Sequence, residues 1–264
     1  MHMKKWRFPA LLVALALLLV GSYGFKSQKR SHWVDSTTPT IFVHGYGSSY
    51  HAEESMVKRA RKDKVTSTVV LARVDENGKV KLSGPSIKGK RNPIVEVNLA
   101  DNKQTDMNKG AAYVNNVVRA LQKRDGIKEY NFVAHSMGNM DVFSYLSKYG
   151  SQPGAPVLKK QVVLAGGGMT GWSHRRPISG TMQTIMGQLK DNYPQGKVLN
   201  IAGDRGDETD GKVPNAASRS VKDMLGDRPK SYQFVLFKGK QYTHSNLHEN
   251  QKVSNKINEF LWGK

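Results

Sequence analysis

From residue 40 onward the chain alternates short apolar runs with longer segments of helical period. Thr40–Val43, Thr66–Val74, Pro93–Asn98, Gln161–Ala165, Val198–Ala202, Tyr232–Phe237 and the stretch from Tyr130 to the edge of Ser136 are apolar or β-branched and predict strands. Between them, Ala52–Arg61, Lys109–Arg124, Gly138–Tyr149 and Asn250–Trp262 predict helices. Val114, Val117, Val118 and Leu121 make the inward stripe of the second, and Val253, Ile257, Phe260 and Leu261 that of the last. Asp75-Glu76-Asn77-Gly78 is a hairpin turn that returns along Lys79–Leu82, an antiparallel pair suited to a sheet edge. The alternation as a whole predicts an α/β fold, a mostly parallel, doubly wound sheet. Met169–Tyr193 lacks strand character. Met182, Ile185, Met186 and Leu189 could form one face of a helix there, serving either as a small lid insertion or as ordinary core packing.

The N-terminus follows another pattern. Lys4, Lys5 and Arg7 precede the unbroken apolar run Pro9–Val20, which is short for a full membrane span and right for a signal-peptide core. Small residues at Ser22 and Gly24 suit cleavage after Gly24, and an uncleaved membrane anchor is the alternative. Residues 1–25 are therefore expected to direct export, leaving the protein secreted or anchored at the cell surface. Residues 26–38 are expected to be a linker and 39–264 the α/β domain.

Composition narrows the chemistry. There is no cysteine, which excludes disulfides, thiolate metal sites and a cysteine nucleophile. The net charge is +20; the first 24 residues hold three of the bases and no acid, so the remainder carries +17. Such a surface suits an anionic membrane or cell-wall polymer, or serves solubility. No basic run is interleaved with aromatics, so no nucleic-acid partner is expected. Oligomeric state is not legible.

Candidate chemistry centres on Ala134-His135-Ser136-Met137-Gly138. A strand, a sharp turn with serine at its tip and a following helix make a nucleophile elbow, and small residues two positions either side let strand and helix pass closely. The usual first glycine is Ala134 here, one methyl larger. A serine hydroxyl needs a base, and the base a carboxylate, in the chain order serine, acid, histidine. Asp204, Asp207 and Asp210 follow the strand Val198–Ala202, with Asp210 favoured by the Gly-x-Val-Pro turn after it. His244 falls in the loop after the last strand, and His248 competes from the start of the last helix as a surface or packing residue. His44-Gly45-Tyr46-Gly47 ends the first strand, where the N–H of Tyr46 can join that of Met137 as oxyanion donors. His44 and His135 read as turn-structuring residues. His244 and His248 lack the intervening glutamate of a zinc-protease helix, so neither a metal nor a cofactor is expected.

The ordered set Val-His-Gly-Tyr-Gly, Ala-His-Ser-Met-Gly-Asn, Thr-Asp-Gly-Lys-Val-Pro and His-Ser-Asn-Leu-His-Glu-Asn resembles a Gram-positive family of exported or surface α/β-hydrolases, with carboxylesterase-like members and many of unassigned function. The resemblance runs from about Pro39 to Trp262, and the elbow also looks like that of small bacterial lipases. It implies a Ser136–Asp210–His244 triad with Tyr46 and Met137 as oxyanion donors, acting on short or medium acyl esters. Lysophospholipase, cell-envelope deacylase and acyltransferase activities are the alternatives within that chemistry. A non-catalytic surface-binding protein on the same scaffold is the alternative outside it.

Overall fold

A computed structural model describes residues 32–167 and 180–264. The expected export segment, residues 1–25, lies outside the described residues. So do the first part of the expected linker and residues 169–179 of the expected lid. Trp33–Lys264 forms one compact unit.

Eight strands form one sheet: β1 (Thr40–Val43), β2 (Val69–Val74), β3 (Val80–Ser83), β4 (Ile94–Leu99), β5 (Glu129–His135), β6 (Val157–Leu164), β7 (Lys197–Asp204) and β8 (Ser231–Lys238). Their order is β3-β2-β4-β1-β5-β6-β7-β8. Every pairing is parallel except β2 with β3, the hairpin, which closes one edge as its turn chemistry predicts. Here the side chain of Asp75 accepts the N–H groups of Asn77 and Lys79.

Helices cover both faces, and two short ones, α5 (Asn215–Arg219) and α6 (Val221–Leu225), lie between β7 and β8 in the chain. α1 (Glu54–Lys62) and α8 (Gln251–Trp262) pack on one, burying Met56, Val57, Val253, Ile257 and Leu261 against Phe42, Val133 and Leu199. α2 (Met107–Asp125), α3 (Gly138–Tyr149) and α4 (Gly180–Asn192) pack on the other, over Ile41, Val95, Phe132 and Val163. The stripe Val114, Val117, Val118 and Leu121 is buried as its spacing requires. α2 starts two residues earlier than the apolar period implies. Asp106 caps it by accepting the N–H of Asn108, and Gly126 ends it in the left-handed region at φ 67°.

Three differences from the sequence expectations have physical causes. β6 begins at Val157 rather than Gln161, because its first half lies where Val157 and Lys159 face outward and gives no buried run. The linker ends earlier than residue 38. Trp33 donates its indole N–H to the Asp63 carbonyl (2.9 Å), Val34 donates to the Trp262 carbonyl (2.8 Å), and Asn92 holds both Val34 and Ser36. The third concerns the expected lid, residues 169–193. Its helical part is α4, with Ile185, Leu189 and Tyr193 buried in the core. The Tyr193 hydroxyl donates to Gln161 on β6 (2.8 Å), fixing α4 as the β6-to-β7 crossover. Among the described residues, no helix is long and apolar enough to cross a membrane.

Candidate active site

The carboxyl ends of β1, β5, β7 and β8 converge at one edge of the sheet, where parallel α/β folds place their ligands. Ser136 follows β5 directly and turns with φ 56°, a left-handed conformation a non-glycine residue adopts at a cost of roughly 1–3 kcal/mol. The surroundings hold it there. Its N–H donates to the Leu164 carbonyl (2.9 Å), and the Asn139 side chain donates to the carbonyls of Ser136 and Leu164, each at 3.1 Å. Gly138 is obligatory by contact: a Cβ there would stand 2.5 Å from the His44 oxygen and 2.6 Å from that of Val43. Ala134, by contrast, sits fully buried in the strand ladder without displacing it.

The acid loop sorts its three aspartates. Asp204 accepts the N–H groups of Gly206 and Glu208, and Asp207 pairs with Arg205 and Thr209, so both organise their own loop. Asp210 is 2 % exposed. One of its oxygens accepts the N–H of Lys212 and of Val213, each at 2.8 Å. The other lies 2.8 Å from Nδ1 of His244. Nε2 of His244 in turn lies 2.8 Å from Oγ of Ser136. The backbone ties the loops as well, the His244 N–H donating to the Asp210 carbonyl at 2.8 Å. The sequence-predicted Ser136, Asp210 and His244 thus form one hydrogen-bonded chain. With Nδ1–H donating to the carboxylate, Nε2 is left to accept from the serine hydroxyl.

The two expected oxyanion donors flank the serine. Among the described residues neither the Tyr46 nor the Met137 N–H meets an acceptor, while both residues line the cavity at Ser136. Gly45 keeps this loop close: a Cβ on it would come within 2.8 Å of Cβ of Ser136. The Gly47 N–H donates to the Asn102 carbonyl (2.7 Å) and anchors the loop's far side. His44 fixes its near side, Nδ1–H donating to the Gly45 carbonyl (2.9 Å) and Nε2 accepting the Leu99 N–H (3.1 Å). Burial lowers the His44 pKa, in keeping with that neutral tautomer.

Two histidines have parts that sequence patterns reveal only in outline. His135 is buried against both His244 and His248, ring centroids 4.8 Å away in each case. Burial, then the neighbouring imidazoles, depress its pKa well below the usual value and keep it neutral. His248 belongs to a separate turn, α7 (Asn246–Glu249), ahead of the last helix; it is a packing residue, 7 % exposed.

The cavity above the serine has a volume of ≈ 530 Å³ and a mainly apolar wall that includes Met107, Met137 and Met140. Its one buried carboxyl among the described residues is Asp141, one helical turn past Met137. Sequence reading passed over it. The available signal was an acid four residues beyond Met137 on the helix that carries the elbow. No group of three His, Asp or Glu among the described residues is arranged to hold a metal.

Comparison with known proteins agrees with this architecture. The profile of the family described as "Alpha/beta hydrolase of unknown function (DUF915)" matches residues 27–264. No curated protein matches the chain. Among solved structures, a gene product of Listeria innocua is 22 % identical with a TM-score of 0.76, over 86 % of this chain and 94 % of that one. A Lactobacillus plantarum protein named as a candidate cell surface hydrolase is 19 % identical with a TM-score of 0.70, over 85 % and 89 %. Est1E from Butyrivibrio proteoclasticus is 14 % identical with a TM-score of 0.53, over 85 % and 86 %. At these identities the likeness is one of fold.

Proposed function

The chain belongs to this family of α/β-hydrolases, and we propose that it is a serine hydrolase, a carboxylesterase for short or medium acyl esters. The observation that carries the reading is the pair of 2.8 Å contacts linking Ser136 to His244 and His244 to Asp210 at the floor of a ≈ 530 Å³ cavity. In this reading His244 Nε2 takes the Ser136 proton as Oγ attacks the ester carbonyl. Asp210 holds the imidazole in the right tautomer and offsets the charge it gains. The N–H groups of Tyr46 and Met137 receive the oxyanion, each worth roughly 10²–10³ in rate. His244 then protonates the departing alcohol. Water, activated by the same imidazole, attacks the acyl-serine and releases the acid.

A water-excluding floor supports this. Ser136, Asp210 and His244 are each buried, so their hydrogen bonds act in a medium where charge stabilisation counts for more. The apolar wall gives an acyl chain a surface to cover. The basic residues and apolar run at the N-terminus support an activity outside the cytoplasm. Lys212 at the cavity and the basic composition favour a second reading, in which the ester belongs to an anionic lipid or cell-envelope polymer.

Purified protein lacking residues 1–25 is assayed on chromogenic acyl esters of increasing chain length and labelled with a fluorophosphonate. Hydrolysis and labelling are expected, and Ser136→Ala should lose both, with kcat down by at least roughly 10⁴. Full activity in Ser136→Ala would remove the serine from the mechanism. A strong salt-dependent preference for anionic esters would favour the second reading over the first.

A further inference from the structure

Asp141 is an expensive residue to place where it is. It sits in the first turn of α3, 3 % exposed, on a helix that also buries Met140, Val142, Phe143, Tyr145 and Leu146. An acid that served only the helix end would sit at the surface, where the macrodipole favours it and water solvates it. Here the chain has cleared space for it instead. Gly110 of α2 lies against the carboxyl, and any side chain at that position would run into it. Gln104 Nε2–H donates to one carboxyl oxygen at 3.3 Å. The other oxygen accepts no hydrogen bond among the described residues, and Asp141 lines the cavity at Ser136. A buried residue whose carboxyl keeps an unpartnered oxygen beside a mainly apolar cleft calls for a donor from outside the protein.

We propose that Asp141 is the specificity-determining residue of this cavity and takes a hydroxyl group of the substrate, making the preferred substrate a hydroxylated ester. The inference rests on the serine-hydrolase reading above. Two donors could meet such a carboxyl, a hydroxyl or an ammonium, and the electrostatics separate them. The protein carries +20 overall, and Lys212 lines the same cavity, so a cationic substrate approaches against the field. A hydroxyl approaches without that penalty. It also binds either state of the carboxyl, donating to the carboxylate or accepting from the acid. This matters because burial raises Asp141 from its ordinary 3.8 to about 7, against a lowering contribution from Gln104. Sites built to bond a substrate hydroxyl reject the analogue lacking it by large factors, because the site's polar atom is then left dry and unpaired.

The test compares matched ester pairs by kcat/KM. On the alcohol side, glyceryl monobutyrate is set against propyl butyrate, with butyrylcholine as the cationic member. On the acyl side, 4-nitrophenyl 3-hydroxybutyrate is set against 4-nitrophenyl butyrate. The expected result is a preference of at least 10-fold for the hydroxylated member of one pair, which also identifies the side of the ester that Asp141 meets. In Asp141→Ala that ratio should fall to near 1, while Asp141→Asn, which keeps an acceptor, should retain part of it. A ratio is insensitive to partial loss of folded protein. No preference in either pair, an unchanged ratio in Asp141→Ala, or a preference for butyrylcholine would each overturn the proposal. Equilibrium binding of glyceryl monobutyrate and propyl butyrate to the Ser136→Ala chain, followed by NMR, separates the two readings. Tighter binding of the glyceryl ester without any hydrolysis by the wild-type chain would sink the hydrolase and leave the hydroxyl site standing. Equal binding together with normal wild-type hydrolysis would do the reverse.

Discussion

The Nε2 atom of His135 stands 3.0 Å from the backbone carbonyl oxygen of His244. The residue immediately before the candidate nucleophile therefore holds the main chain of the candidate base. His135 is buried and kept neutral, so its one N–H is available to donate to that carbonyl. The bond crosses 109 residues of sequence and joins the end of β5 to the loop after β8.

Replacing His135 with Phe removes its hydrogen bond to the His244 carbonyl in a buried site, a loss of about 1–3 kcal/mol in stability. The freed loop should also misplace Nε2, lowering kcat by roughly 10- to 100-fold with KM changed much less. His135→Gln keeps an N–H donor and should recover most of kcat. Steady-state kinetics and thermal melts on the two variants check this. Equal damage in both would mean that the ring's packing, and not its hydrogen bond, is what counts.

Two glycine-to-alanine changes should have opposite signs. Gly138→Ala drives a Cβ to 2.5 Å from the His44 oxygen, a backbone atom that cannot move without disturbing the Tyr46 loop. A stability loss of at least about 1–3 kcal/mol and loss of fluorophosphonate labelling at Ser136 are expected. Gly187 lies exposed in α4 with nothing within 4 Å of an added Cβ. There alanine should stabilise by about 0.5–1 kcal/mol. Denaturant titration of both variants measures the contrast.

Glu96 on β4 predicts a pH dependence of stability. Burial first, and the charge of Glu54 next, raise its pKa from 4.5 to about 7. Glu53 stands nearby with both carboxyl oxygens buried and unpartnered among the described residues, and burial together with Glu96 raises it as well. His51, Lys58 and Arg61 also face Glu96 and pull the other way. A raised carboxyl holds its proton more tightly in the folded chain than in the unfolded one. Its contribution is therefore present in full below the unfolded value and is lost as pH rises towards 7. Glu96→Gln removes that loss. The variant's stability relative to wild type should climb between about pH 4 and pH 7 and then level, with a total change of about 1–3 kcal/mol once solvent screening is counted. Urea melts across that range read it directly, and a flat difference would contradict the assignment.

Sequence alone determined the elements and the elbow, because those are set by neighbours along the chain. Apolar runs bounded by turns specify strands, and Val114, Val117, Val118 and Leu121 specify the buried face of α2. Small residues at Ala134 and Gly138 mark the tight crossing at Ser136, and the serine, acid and histidine appear in order. The sequence could order the aspartates but not bring one to the histidine. That meeting depends on β7 and β8 lying side by side in register, so that groups 34 residues apart come within 2.8 Å. The same holds for Ser136 and His244, separated by 108 residues, and for the His135 contact across the same gap in the fold. Packing decided the rest. It drew Trp33 onto the domain, turned α4 into a crossover helix, and set Asp141 in the wall of an apolar cleft. Periodicity tells which face of a helix is buried, but what that face is buried against is known only once the neighbouring strands are in place.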